Sequence, residues 1–229
     1  MPTWLLEIWD DVRGLAVQAG RLLRRRWYVA ILLLALLAVG ALMLYPYDQT
    51  IYQSTLEHRA DRPALRQFAL LVREWGAFID TLTICGGLFA AGLLAGRRGW
   101  RTAALAAFVA ACLAGTGVNA VRFTTGRPRP RAEMPDELYG PSMQNKMQSF
   151  PSGHAGTSAG MATALAVAMP AVGIPALISA GGVAWSSMYS RNHYATDVFV
   201  GAGLGVLIGM LLGLSARRVL QTRRPNPEP

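Results

Sequence analysis

Long apolar runs alternate with short polar segments along this chain of 229 residues. A bilayer core about 30 Å thick is crossed by roughly 20 apolar helical residues. Six runs approach this length, and each predicts a transmembrane helix: 27–45, 77–96, 102–121, 155–170, 174–189 and 198–214. The predicted fold class is therefore all-α, a polytopic membrane protein built as a bundle of six transmembrane helices.

The uncharged stretch after residue 155 is long enough for two of these helices. Pro170 and Pro175, with Gly173 between them, interrupt it. Proline removes a backbone donor and clashes with the preceding turn of a helix. We therefore predict a helical hairpin with its break at 169–175.

The first 26 residues differ from the runs that follow. Trp4, Leu5, Ile8 and Trp9 recur at roughly helical spacing, with charged residues between them. This pattern predicts an amphipathic helix at the membrane interface over 1–26. The predicted organisation continues with a membrane domain over 27–216 and a basic, Pro-rich cytoplasmic tail over 217–229. A cleaved signal peptide is disfavoured because acidic residues precede the basic cluster.

Charge refines this picture. The chain is 52% hydrophobic and 15% charged, with a net charge of +9. Nucleic-acid binding is disfavoured, because the basic residues lie between apolar runs without interleaved aromatic residues. Arginine clusters at 21–26, 97–101 and 217–224 flank predicted spans and indicate their cytoplasmic ends. We expect an integral protein of a bacterial inner membrane, with the opposite, extracytoplasmic ends carrying any functional site.

Three polar islands interrupt the apolar pattern at those opposite ends. The first contains Arg122 and Arg129-Pro130, the second is the sequence Pro-Ser-Gly-His at 151–154, and the third contains His193 and Asp197. Ionisable residues at a bilayer boundary are costly and therefore indicate function. Guanidinium groups match phosphate oxygens, so the first island predicts an anion clamp made of Arg122, Arg127, Arg129 and Arg131.

The other two islands support phosphate chemistry. Ser152 and Gly153 begin a helix, whose N-terminal amide groups favour anions. His193 and Asp197 are four residues apart, so a carboxylate would orient one imidazole nitrogen and leave the other free. Each island alone also fits a local role, as a helix cap with an incidental His154 or as a His-Asp hydrogen bond at a helix end. Their convergence on one face favours a site.

The ordered triple of motifs resembles the type 2 phosphatidic acid phosphatase family, membrane lipid phosphate phosphatases that share a pocket with vanadium-dependent haloperoxidases. The resemblance implies phosphoryl transfer without a metal or another cofactor. It implies that His193 attacks phosphorus, Asp197 orients His193 and His154 protonates the leaving oxygen. The substrate oxygens would be held by Arg122, Arg129, Ser152 and Gly153.

The activity implied by the resemblance is hydrolysis of a lipid phosphate or pyrophosphate through a phosphohistidine. Undecaprenyl pyrophosphate, phosphatidylglycerophosphate and phosphatidic acid are the substrates expected from the family. Two alternatives stay open. One is a phosphotransferase on the same scaffold, and the other is a catalytically weakened lipid-binding or transport protein.

Two positions depart from the family pattern. The first motif usually opens with Lys and here has Arg122, which keeps the positive charge. An Arg usually lies six residues before the histidine of the third motif, and this chain has the uncharged Ser187 there. We include Arg191 among the candidate substrate-binding residues, because its long side chain would supply the missing guanidinium in a tightly turned segment. The alternative is that Arg191 contacts lipid headgroups.

Overall fold

The fold is all-helical in the part of the chain that the computed structural model describes, which is residues 3–60, 62–74 and 76–222. Within these ranges there is no β-strand, in agreement with the predicted class. Three short 3-10 turns also occur. The helices are α1 (Thr3–Leu44), α2 (Asp48–Ala60), α3 (Pro63–Glu74), α4 (Phe78–Leu94), α5 (Arg98–Thr125), α6 (Gly153–Ala168), α7 (Pro170–Tyr189) and α8 (Ala195–Gln221).

Four of these helices, α1, α5, α7 and α8, are long and apolar enough to cross a bilayer. A fifth span results if α3 and α4, which meet at a bend of 57°, cross together. These apolar helices make the chain an integral membrane protein. The remaining predicted span corresponds to α6, which has only 16 residues, so helix length supports four or five spans and not six.

Helix α6 lies at the centre of the bundle, packed against α5, α7 and α8. All residues from Ala155 to Leu165 are buried. Small residues let α8 approach closely, since a methyl group at Gly205 would overlap the Gly156 carbonyl. In lipid, where apolar surface alone drives little association, such close backbone packing holds helices together.

The N-terminal segment continues into the first predicted span as one helix, α1, whose backbone departs from helical geometry only at Arg26. Its first half is partly buried against protein. Leu15 and Leu22 are buried, and Asp11 forms an ion pair with Arg98 and accepts a hydrogen bond from Thr102 Oγ1 at 2.8 Å. The location of this segment in the membrane interface stays a prediction.

The break between α6 and α7 is shorter than predicted. Only Met169 separates the two helices, and Pro175 lies inside α7. Pro170 occupies the first position of α7, where its missing N–H is not needed and its fixed φ suits the helix. Of the predicted tail, residues 217–221 belong to α8, and residues 223–229 lie outside the described ranges.

The course of the helices brings the three polar islands to one end of the bundle. Helix α5 ends there, whereas α6 and α8 begin there. The described residues of the basic clusters lie at the opposite end, where Arg21, Arg25 and Arg218 line one cavity. The two ends therefore differ in the way that the charge pattern predicts, while the assignment of each end to a side of the membrane stays a prediction.

Candidate active site

The first and second islands meet at the start of α6. Arg122, in the last turn of α5, donates from Nε and Nη2 to the Pro151 carbonyl oxygen at 3.2 and 2.9 Å. A methyl group on Gly153 would lie 2.7 Å from Arg122 Nη2. The absence of a side chain at Gly153 therefore lets the guanidinium lie against the first turn of α6.

The third island joins them through the backbone. Ser152 donates its N–H to the Asp197 carbonyl oxygen at 2.9 Å. Its hydroxyl accepts from Ala155 N at 3.5 Å and caps α6. Because Ser152 holds the starts of both α6 and α8, the N-termini of these two helices lie side by side.

His193 is buried in the turn between α7 and α8, with 3% of its surface exposed. Its Nδ1 lies 2.7 Å from the Ser149 carbonyl oxygen. A carbonyl only accepts, so we assign the ring proton to Nδ1, which leaves the lone pair on Nε2. The nearest Asp197 oxygen is 3.8 Å from Nδ1, beyond hydrogen-bond distance. The main-chain oxygen of Ser149 thus fixes the tautomer directly.

Asp197 binds the residues around His193. Its buried carboxylate accepts from Ser149 Oγ at 2.6 Å and from Tyr194 N at 2.8 Å, and it pairs with Arg127 Nη1 at 2.6 Å. The bond from Tyr194 N caps α8. Asp197 therefore positions the segment that holds the imidazole.

Arg129 brings a buried guanidinium to the same region. Its Nη1 donates to Asn192 Oδ1 at 2.8 Å, and Asn192 directly precedes His193 in the chain. Its Nε is buried and has no hydrogen-bond partner in the described ranges. No carboxylate of those residues forms an ion pair with Arg129 or Arg122. A buried cation without a counter-charge is costly and favours binding of an anion.

His154 lies in the first turn of α6, ahead of its apolar run. Burial and the nearby charges of Arg73, Arg122 and Arg129 lower the pKa of His154 to about 4. Burial also lowers the pKa of His193, against the opposing effect of Asp197. Both imidazoles are therefore neutral near pH 7. We call Arg122, Arg129, Ser152, Gly153, His154 and His193 the polar cluster.

Comparison with known proteins assigns the family. A sequence profile described as the PAP2 superfamily matches residues 103–220, which include all three islands. The chain belongs to this superfamily. The resemblance to the type 2 phosphatidic acid phosphatases is thus confirmed. Comparison with curated protein sequences gave no match.

A solved structure shares the fold of this PAP2 chain. It is a transmembrane PAP2-type phosphatidylglycerolphosphate phosphatase from Bacillus subtilis, 20% identical in sequence, with a TM-score of 0.61. The alignment covers 86% of this chain and 98% of the Bacillus chain. The similarity therefore extends over most of this chain.

The structure does not bring Arg191 into the polar cluster of this PAP2 protein. Arg191 adopts a positive φ of 60°. Its Nε donates to Tyr52 Oη at 2.9 Å, and its Nη2 pairs with Glu133 at 3.1 Å. Ser187 is buried, and its hydroxyl donates to the Val183 carbonyl oxygen at 2.8 Å. The geometry gives the expected role of Arg191 no support.

Arg127, expected as part of the anion clamp, has protein partners instead. It pairs with Asp48 at 2.8 Å, Asp136 at 2.7 Å and Asp197 at 2.6 Å. The rings of Tyr45 and Tyr194 lie 5.1 and 4.3 Å from its Cζ. Its donors are occupied, so its contribution is structural.

Other residues of the clamp and site also differ from expectation. Arg131 donates to Asn145 Oδ1 at 2.9 Å in an exposed position. Ser149 and Asn192 contact the polar cluster directly and have no role in the sequence analysis. Adjacency to His193 was the available signal for Asn192, whereas no local pattern marks Ser149.

Within the described ranges, no group of three His, Cys, Asp or Glu side chains is arranged to hold a metal ion.

Proposed function

We propose that this chain is an integral membrane lipid phosphatase that hydrolyses a lipid phosphate or pyrophosphate through a phosphohistidine. The observation that carries the proposal is that His154 and His193 lie at one end of the bundle with Arg122 and Arg129, neither of which forms an ion pair with a described carboxylate. Membership of the PAP2 superfamily supports it. In this proposal α6 is a sixth, internal span, and the polar cluster faces the extracytoplasmic side.

The first step transfers the phosphoryl group to the protein. Arg122, Arg129 and the Gly153 amide hold the equatorial oxygens, where charge stabilisation contributes most to phosphoryl transfer. His193 Nε2 attacks phosphorus, and the P–O bond to the lipid breaks in line with this attack. His154 donates a proton to the departing oxygen.

The second step releases inorganic phosphate. Neutral His154 takes a proton from a water molecule, and the oxygen of that water attacks the phosphohistidine opposite Nε2 of His193. The P–N bond breaks, and its electrons return to the imidazole. For the first step His154 must be protonated, and a bound phosphate dianion favours this by offsetting the surrounding arginine charges.

The lipid substrate follows from the position of the cluster at the end of apolar helices. The phosphate head would enter the polar cluster while the tail stays among the helices. Because the structurally similar Bacillus protein is a phosphatidylglycerolphosphate phosphatase, phosphatidylglycerophosphate is the first lipid to test. Phosphatidic acid and undecaprenyl pyrophosphate complete the panel that the family suggests.

One observation favours a second candidate function. Ser187 places no charge where the family pattern has an arginine. A catalytically weakened lipid-binding protein would tolerate this loss. Saturable binding of the lipid panel without phosphate release by the wild-type protein would support this candidate over the phosphatase.

The test compares phosphate release from the lipid panel by purified protein in detergent, with and without EDTA. We expect release by the wild type in both conditions, and a loss of about 10³-fold or more in His193→Ala. His58→Ala is the matched control, because His58 is exposed and, among the described residues, hydrogen-bonds with the Ser54 carbonyl of its own helix alone. Release by His193→Ala at the wild-type rate would overturn the mechanism. Transfer of phosphate to an added alcohol in preference to water would indicate a phosphotransferase.

A further inference from the structure

A third arginine approaches the polar cluster from α3, outside the segment that the family profile matches. Arg73 lies in the last turn of α3, and its carbonyl oxygen accepts from Gly76 N at 3.0 Å. Gly76 lies against His154, since a methyl group at Gly76 would be 3.2 Å from His154 Cβ and 3.3 Å from its carbonyl oxygen. The end of α3 is therefore held directly over the first turn of α6.

The guanidinium of Arg73 has an unpaired donor. Its Nε is buried and has no hydrogen-bond partner, and Arg73 forms no ion pair with any described residue. A charged donor hidden from water without a partner is costly. This is the same condition that Arg129 Nε shows within the polar cluster.

The charge of Arg73 acts on members of the polar cluster. Among the charged side chains that lower the pKa of His154, Arg73 has the largest effect, ahead of Arg122 and Arg129. Arg73 and Arg129 also repel each other. The repulsion of Arg129 by Arg73 and by Arg122 is relieved when an anion binds between them.

We propose that Arg73 binds the phosphate group of the substrate, as a third guanidinium beside Arg122 and Arg129. This inference rests on the proposed function. Helix α3 packs on α7, which carries the uncharged Ser187. Arg73 thus supplies positive charge from the helix that packs on α7, whereas Arg191 is occupied by Tyr52 and Glu133.

The test measures binding of inorganic phosphate to the full-length protein in detergent by titration calorimetry. Arg73→Ala removes the side chain, and Arg73→Gln keeps its polar bulk without the charge. We expect phosphate to bind about tenfold or more weakly to both variants, and KM for lipid phosphate to rise in parallel. Arg66→Ala is the matched control, because Arg66 is exposed on α3 two turns earlier. It should bind phosphate within about twofold of the wild type.

A second measurement excludes a purely structural effect. Removing a cation beside an imidazole favours its protonated form, so the pKa of His154, followed by NMR, should rise in Arg73→Gln and not in Arg66→Ala. Phosphate binding within about twofold of the wild type in Arg73→Gln, with an unchanged pKa of His154, would overturn the proposal. Phosphate binding and the pKa of His154 are both measured without turnover. If the wild type hydrolyses no lipid, the proposed function fails, while the phosphate titration still decides the role of Arg73.

Discussion

Arg127 and Arg129 are two residues apart in one loop and are both buried, yet their surroundings are opposite in charge. Arg127 meets three aspartates and two tyrosine rings. Arg129 meets one amide oxygen and keeps an unpaired Nε. Burial and residue type are therefore the same in both cases. The charge of the partners separates an arginine that holds the fold together from one that we propose binds an anion.

The contrast extends to their neighbourhoods. Around Arg127, three carboxylates outnumber one guanidinium, so that region carries excess negative charge. In the polar cluster, Arg122 and Arg129 lie beside two neutral imidazoles, so the cluster carries excess positive charge. Asp197 belongs to the first region and connects it to the second through Ser149, whose hydroxyl donates to Asp197 and whose carbonyl oxygen accepts from His193, and through Ser152, which donates its N–H to the Asp197 carbonyl oxygen. The segment 149–152 thus joins the two regions.

The largest effect is expected for Arg127→Ala. Removal of this side chain leaves Asp48, Asp136 and Asp197 without their shared cation, and breaking a buried ion pair costs about 3–5 kcal/mol. We expect a strongly lowered melting temperature of the protein in detergent, measured by intrinsic fluorescence. A melting temperature equal to that of the wild type would contradict the structural role of Arg127.

Arg129→Ala should separate activity from stability. It removes a proposed phosphate contact and also relieves repulsion with Arg122, so the fold should lose little stability. We expect kcat/KM for lipid phosphate to fall by about 10²-fold or more. If Arg129→Ala lowers the melting temperature as much as Arg127→Ala does, while kcat/KM stays near that of the wild type, the distinction between the two arginines is wrong.

Anion binding should depend on pH through His154. Its lowered pKa of about 4 means that the free protein carries a neutral imidazole at higher pH. A bound dianion raises that pKa, so binding takes up a proton and tightens as the pH falls towards 4. Sulfate keeps its charge over this range. For each unit by which the pH is lowered, its inhibition constant should decrease by at most about tenfold. In His154→Ala this dependence should be lost or much reduced; an unchanged slope would exclude His154 as its source.

The smallest effect is expected for Arg191→Ala. Its guanidinium is held by Tyr52 and the exposed Glu133 at the surface. Exposed ion pairs contribute only about 0–1 kcal/mol. We expect kcat/KM within about twofold of the wild type, measured in the same assay as Arg129→Ala. A loss comparable to that of Arg129→Ala would restore Arg191 as a substrate-binding residue.

The sequence was informative where one local pattern was enough. Apolar runs predicted helices at all six positions, and the Pro-Ser-Gly-His motif predicted the start of α6 with its Ser152 cap. Local pattern could not reveal the partners of Arg127, because Asp48 lies in α2, far away in sequence, and reaches it only through the fold. Arg73 was missed for the same reason. In the sequence, Arg73 looks like one of the charged residues of an ordinary amphipathic helix. Only the contact of Gly76 with His154 reveals that the end of α3 lies close to the polar cluster.

The acceptor for His193 Nδ1 is a main-chain oxygen. Ser149→Ala would remove the hydroxyl that donates to Asp197, but it would keep the main-chain acceptor for His193. The orientation of the imidazole therefore depends directly on the path of the loop. A one-residue insertion or deletion just before Phe150 would rotate the carbonyl away and misdirect His193, even though every residue of the three islands would still be present.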